Sequence, residues 1–181
     1  MKKSLFCIML ATVLCACANN SNKQSAAETP AAPETTTETV AEVAEANVDL
    51  APDFTLNDLS GNPLSLSSLR GKYVILDFWG SWCVWCIKGI PEMKKYYQKY
   101  QGKFEILGID CNDSEEDWKT AVKQYELPWL QVYHSQADTV LEQYEIQGFP
   151  TKIIISPEGK IVKTIVGEDP AFYAFLDQLF K

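Results

Sequence analysis

Apolar positions are spread unevenly along this chain, and their spacing predicts a sheet built of alternating strands and helices. Tyr73-Val74-Ile75-Leu76-Asp77-Phe78-Trp79 is a near-continuous apolar run, the pattern of a parallel strand covered on both faces. A helix is predicted after it, with Cys86, Ile90, Met93 and Tyr97 as its apolar stripe and a kink at Pro91. Phe104 to Ile109 reads as the next strand. Ser114-Glu115-Glu116-Asp117 then has the form of a capping box opening a helix with Trp118, Ala121, Val122 and Tyr125 on one face. The remainder predicts a short strand near Leu130 to Tyr133, a short helix around Thr139 to Tyr144, and strands Lys152 to Ile155 and Ile161 to Val166 across the turn Pro157-Glu158-Gly159-Lys160. A final helix is capped by Asp169, carries Pro170 at its first position and turns Phe172, Phe175, Leu176 and Leu179 inward. Upstream, Pro52 to Leu56 and Pro63 to Leu66 flank a turn at Gly61-Asn62 and predict a small hairpin. The order implies an α/β fold, a central mixed sheet flanked by helices and closed by an antiparallel hairpin.

The first third of the chain has none of this periodicity. Met1-Lys2-Lys3 followed by the apolar run Ser4 to Leu14 has the charged head and short body of a secretory signal, well below the ~20 apolar residues of a spanning helix. Leu14-Cys15-Ala16-Cys17 resembles the bacterial lipobox, in which a small residue precedes the acylated cysteine. Cys17 fits as the lipid acceptor, and Cys15, preceded by Leu14, fits worse; a cleaved signal without lipid is the alternative. From Asn19 to Asn47 the chain is mostly Asn, Ser, Gln, Ala, Thr, Pro and Glu with no aromatic residue, so it cannot bury enough surface to fold. Six acidic residues between Asn20 and Leu50 face the single basic Lys23, which extends such a stretch by self-repulsion. The organisation expected is therefore a signal over residues 1–16, an acidic tether over 17–47 and one folded domain over 48–181. A formal net charge of -8 over 181 residues disfavours nucleic acid as a partner, since phosphate binding relies on clustered Lys and Arg.

Gly80-Ser81-Trp82-Cys83-Val84-Trp85-Cys86 sits where the buried strand gives way to the helix. A cysteine at a helix N-terminus has its thiolate favoured by unpaired amides and the helix dipole, and in CxxC motifs its pKa falls to about 3.5 to 7.5. Cys83 is then the nucleophile. Cys86, three residues on, lies on the same side of the first turn and resolves the mixed disulfide. Asp77 interrupts an otherwise apolar strand, where an unpaired carboxylate is costly and its pKa is expected to rise. It is a candidate proton acceptor for Cys86, with a structurally hydrogen-bonded aspartate as the alternative. Trp79 reads as core, as do Trp118 and Trp129, whereas Trp82 and Trp85 form a candidate exposed rim for protein substrates.

Asp77-Phe78-Trp79 with Trp82-Cys83 and Cys86, followed by Pro91, resembles thioredoxin. Ala51-Pro52-Asp53-Phe54 with Leu69-Arg70-Gly71-Lys72 is similar to its secreted, membrane-tethered TlpA/ResA-like branch, over roughly Val48 to Lys181. The resemblance implies a thioredoxin fold with an N-terminal β-hairpin extension and an inserted helix. It implies a cis-proline facing the CxxC pair, for which Pro150 in Gly148-Phe149-Pro150-Thr151 is the candidate, and substrate backbone pairing at Phe149. It also implies a reductase of disulfides in exported proteins, apocytochrome c among them, held at a bacterial membrane facing the periplasm and recharged by a membrane thiol carrier. No cofactor is implied beyond the redox-active Cys83 and Cys86 pair. Val84-Trp85 departs from the Gly-Pro of thioredoxin and carries no cation, which disfavours a strong oxidant.

Two rival functions remain. Peroxiredoxins share an opening like Ala51-Pro52-Asp53-Phe54, but the Pro and Thr pattern before their cysteine is absent from Gly80-Ser81-Trp82. A non-catalytic binding module of the same fold is the other, against which the intact cysteine pair argues. Cys111 reads as a packing residue and His134, the single histidine, as part of a surface loop or turn. Together with Cys83 and Cys86 these make four zinc-type ligands, but without a second closely spaced pair, so no metal site is expected.

Overall fold

The computed structural model describes residues 50–181 of the chain; Cys17, the signal and the whole tether lie outside the described residues. The first elements are the hairpin β1 (Thr55–Asp58) and β2 (Pro63–Ser65), followed by a short 3-10 turn over Leu66–Leu69. The central elements are β3 (Tyr73–Trp79), α1 (Val84–Lys99), β4 (Phe104–Cys111), α2 (Glu115–Gln124), β5 (Leu130–His134) and α3 (Val140–Gln143). The chain closes with β6 (Thr151–Ile155), β7 (Ile161–Val166) and α4 (Pro170–Phe180). The strands form one sheet in the order β2-β1-β5-β4-β3-β6-β7. Parallel pairing joins β3, β4 and β5, while the hairpins at both ends add antiparallel strands. This is the mixed α/β sheet that the hydrophobic pattern predicts.

Strand alternation sorts the apolar side chains into two faces. Ile75, Phe104, Ile106 and Ile154 pack with Met93 of α1 and Phe172 and Leu176 of α4. On the other face Leu76, Phe78, Leu107, Ile109, Val132, Ile153 and Ile155 pack with Phe54, Leu66, Val140 and Tyr144. β3 and β4 sit in the middle of the sheet with nearly every side chain buried, so the end of β3 is held rigidly on both sides.

Helix ends follow their local chemistry. Ser114 caps α2 by accepting from the amide of Asp117 at 3.1 Å, with Glu115, Glu116 and Asp117 in the first turn, where negative charge meets the positive end of the helix dipole. Asp169 caps α4 through the amide of Ala171 at 2.8 Å. α1 runs as one helix across Pro91, and its buried positions are Cys86, Gly89 and Met93. Ile90, expected in that stripe, is half-buried and lies beside it.

Two strand ends lie further along than expected, those of β4 and β5. β4 continues to Cys111, which is fully buried. His134 is not in a surface loop: β5 extends through it in register with Cys111, which sets the imidazole on a covered face of the sheet, 7% exposed. The reason is the parallel ladder, which continues two residues beyond the predicted end of β4 and one beyond that of β5.

Candidate functional site

β3 delivers the chain to the edge of the sheet at Trp79, and the next residues are pinned against the end of β4. The amide and hydroxyl of Ser81 donate to the two carboxylate oxygens of Asp113 at 2.6 and 2.7 Å. The Trp82 indole donates to the carbonyl of Cys111 at 2.9 Å. Gly80 is needed for this approach, because a Cβ there would meet the Trp82 ring and stand 2.8 Å from the Cys111 carbonyl.

Cys83 is the N-cap residue of α1, with an extended backbone, and its sulfur accepts from the amide of Cys86 at 3.1 Å. The two cysteines are joined as a disulfide with their Cα atoms 5.2 Å apart. Both are buried, packed with Trp79, Trp118, Val122 and the partly buried Phe149. The helix start therefore directs a free amide at the Cys83 sulfur, the arrangement that favours a thiolate when the pair is reduced.

The loop before β6 closes over the same place. The Phe149-Pro150 peptide bond is cis, the Thr151 hydroxyl donates to the Gly148 carbonyl at 2.7 Å, and the Pro150 carbonyl accepts from Gly167 at 2.7 Å. Phe149 meets Trp82 edge to face with centroids 5.2 Å apart. Trp82, Val84 and Trp85 are exposed by 49%, 63% and 61%, an apolar rim beside the disulfide. Lys88 lies over the Trp85 ring at 4.5 Å.

Asp77 is buried on the sheet face covered by α1 and α4. Burial raises its pKa above the ordinary carboxylate value; Lys152 pulls it down and Glu168 pushes it back up. Lys152 pairs in register with Asp77 across β3 and β6, and its ammonium stands 3.9 Å from Asp77 Oδ1. That ammonium donates to Glu168 Oε2 at 2.9 Å, and the Tyr173 hydroxyl donates to the other Glu168 oxygen at 2.7 Å. Sequence reasoning missed Lys152, Glu168 and Tyr173. A signal existed for the first, since Lys152 is a charge beside the apolar run Ile153 to Ile155, as Asp77 is within β3.

Asp110 was missed as well. It is fully buried, in register between Trp79 and Tyr133, and burial beside the Asp113 carboxylate pushes its pKa up to about 9. The Cys111 thiol is likewise pushed well above its ordinary value by burial, and it packs in the core. Among the described residues no group of three His, Cys, Asp or Glu side chains is arranged to hold a metal ion, and no helix is long and apolar enough to cross a membrane.

Comparison with known proteins bears on these residues. The profile of the AhpC/TSA family matches residues 48–164. The thiol-disulfide oxidoreductase ResA of Bacillus cereus is 39% identical over 119 residues, 65% of this chain and 68% of that protein. ResA of Bacillus subtilis is 36% identical over 118 residues, 65% of each chain. Among solved structures, the thioredoxin domain of a thiol-disulfide oxidoreductase from Bacteroides vulgatus superposes with a TM-score of 0.67 at 39% identity, over 73% of this chain and 96% of that one. A thiol:disulfide interchange protein from a Bacteroides species gives a TM-score of 0.67 at 38% identity, over 73% and 88%.

Proposed function

This chain belongs to the AhpC/TSA family and is a thiol-disulfide oxidoreductase, and we propose that it works as a reductase of disulfides in exported proteins. The observation that carries the mechanism is Cys83 at the cap of α1 with the amide of Cys86 aimed at its sulfur. In the dithiol form the Cys83 thiolate attacks one sulfur of a substrate disulfide, forming a mixed disulfide and releasing one substrate thiolate. The Cys86 thiol gives its proton to the Asp77 carboxylate and its sulfur attacks Cys83 Sγ. The second substrate thiolate leaves, Cys83 and Cys86 end as the disulfide, and the two released thiolates are protonated from Asp77 and solvent. Two electrons pass to the substrate, and an external dithiol returns them.

Direction towards reduction is supported by the absence of any cation in the Val84-Trp85 insert, since strong oxidants depend on unusual stabilisation of the thiolate. Trp82, Trp85, Phe149 and Pro150 supply the substrate surface, Phe149 by offering its backbone to an extended chain. The leader supports export and a lipid anchor at Cys17 facing the periplasm, with residues 17–47 as the tether and a membrane thiol carrier as electron donor. Apocytochrome c is the client class that the ResA-like resemblance favours.

Insulin reduction by the purified chain tests the activity: wild type is expected to precipitate insulin in the presence of dithiothreitol, and Cys83→Ser is expected to lose this. Cys86→Ala is expected to accumulate mixed disulfides through Cys83, whose mass identifies the clients. Rapid consumption of hydrogen peroxide with no insulin reduction would replace this reading with the peroxidase.

A further inference from the structure

Beside Asp77 lies a largely buried ion pair, Lys152 with Glu168, that the exchange steps above leave without a part. Lys152 is 3% exposed, and a buried ammonium is costly unless its charge is met. Two carboxylates are available to meet it. Glu168 takes its hydrogen bond at 2.9 Å, while Asp77 Oδ1 stands off at 3.9 Å and accepts no hydrogen bond among the described residues. The preference is built in from two further sides. The Tyr173 hydroxyl holds the second Glu168 oxygen at 2.7 Å, and the same carboxylate rests on α1 at Gly89, where a Cβ would overlap it. Gly89 lies three residues beyond Cys86 on the same buried face of α1, so the Glu168 carboxylate occupies the space one helical turn below the resolving cysteine.

We propose that Glu168 is a positioning residue for the exchange reaction: by claiming the Lys152 ammonium it keeps that cation from pairing closely with Asp77, and so leaves Asp77 basic enough to take the Cys86 proton. This rests on the reading of Asp77 as proton acceptor. The physical basis is that a nearby cation stabilises a carboxylate and weakens its hold on a proton, whereas a cation already paired with another carboxylate has little net field left. Among the described residues, Lys152 on β6 and Glu168 in the connection between β7 and α4 act on Asp77, which in turn acts on Tyr173 of α4 and Cys111 of β4. Glu92 of α1 acts on Tyr173. Of these, Lys152 and Glu168 are the two that form an ion pair beside Asp77.

The arrangement makes a prediction of opposite signs, which a merely structural role would not. Glu168→Gln releases Lys152 to Asp77 and lowers the Asp77 pKa; Lys152→Met leaves two carboxylates facing each other and raises it. The readout is the Asp77 carboxyl carbon resonance followed against pH by NMR in the oxidised full chain. Shifts of about one unit or more are expected in opposite directions. Tyr173→Phe removes one hydroxyl, loosens Glu168 and is expected to lower the Asp77 titration by a smaller step, which keeps the test available if either charge variant fails to fold. An Asp77 titration unmoved in Glu168→Gln or Tyr173→Phe, or moved the same way in Glu168→Gln and Lys152→Met, overturns the proposal. Insulin reduction against pH separates this from the reading beneath it: Asp77→Asn is expected to lose the wild-type profile, and an unchanged profile removes the proton-acceptor role of Asp77, and with it the catalytic purpose of Glu168, whatever the titrations show.

Discussion

Asp110 carries a carboxyl onto the covered face of β4, fully buried, and neither of its oxygens accepts a hydrogen bond among the described residues. Its ordinary pKa of 3.8 is pushed up to about 9, chiefly by burial, so the folded chain keeps a proton that the unfolded chain gives up above about pH 4. Below that pH both states are protonated and Asp110 adds no pH dependence to stability. Between the two values the folded state binds more protons than the unfolded, so stability falls as pH rises, by up to about 1.4 kcal/mol per pH unit. Asp110→Asn, which matches the shape of the protonated acid, is expected to be more stable than wild type at pH 7 and indistinguishable near pH 4, as measured by urea denaturation across that range. Asp77 was legible in the sequence because it interrupts a long apolar run just ahead of two cysteines. Asp110 was not, because it follows the apolar run Phe104 to Ile109 and reads as the first loop residue. Only its pairing with Trp79 and Tyr133 draws it into the sheet, the same effect that buries His134.

α1 shows what a helix pattern conveys and what it omits. Its start at the CxxC pair and its inward Cys86 and Met93 follow from periodicity. Gly89 carries no apolar side chain and so contributes nothing to a hydrophobic stripe, yet it is buried and its bare backbone is the seat of the Glu168 carboxylate. In an isolated helix Gly89→Ala would stabilise by up to ~1 kcal/mol. Here the added methyl has to displace Glu168 from Lys152. Gly89→Ala is therefore expected to lower the Asp77 titration, in the same sense as Glu168→Gln, with the carboxyl resonance of Asp77 as the check. No sequence pattern announces this contact, because Lys152 and Glu168 are 16 positions apart and Tyr173 and Gly89 are 84 apart; the sheet register and the placement of α4 on α1 bring them together.

At the scale of the described molecule, the ends of β3 and β4 and the loop before β6 converge on one edge of the sheet, the usual place for a site in an α/β fold. The mixed sheet and its helices were legible because every buried strand reads as an apolar run and every main helix has a cap. What lies at that edge is chemically divided: the disulfide and Pro150 are buried, while Trp82, Val84 and Trp85 face solvent. Trp85 belongs to none of the three buried clusters, so its loss leaves the core intact and is expected to change stability by no more than about 0.5 kcal/mol. An aromatic anchor at an interface is worth more than this, on the order of 1–2 kcal/mol, and 1.4 kcal/mol is tenfold in affinity. Trp85→Ala is accordingly expected to raise KM for insulin about tenfold with kcat nearly unchanged. A small disulfide such as oxidised glutathione, too short to cover the rim while its sulfur is at Cys83, should be reduced by the variant at the wild-type rate. Steady-state kinetics on both substrates decides it: equal losses on the two would place Trp85 in the exchange step itself and not in the docking of protein chains.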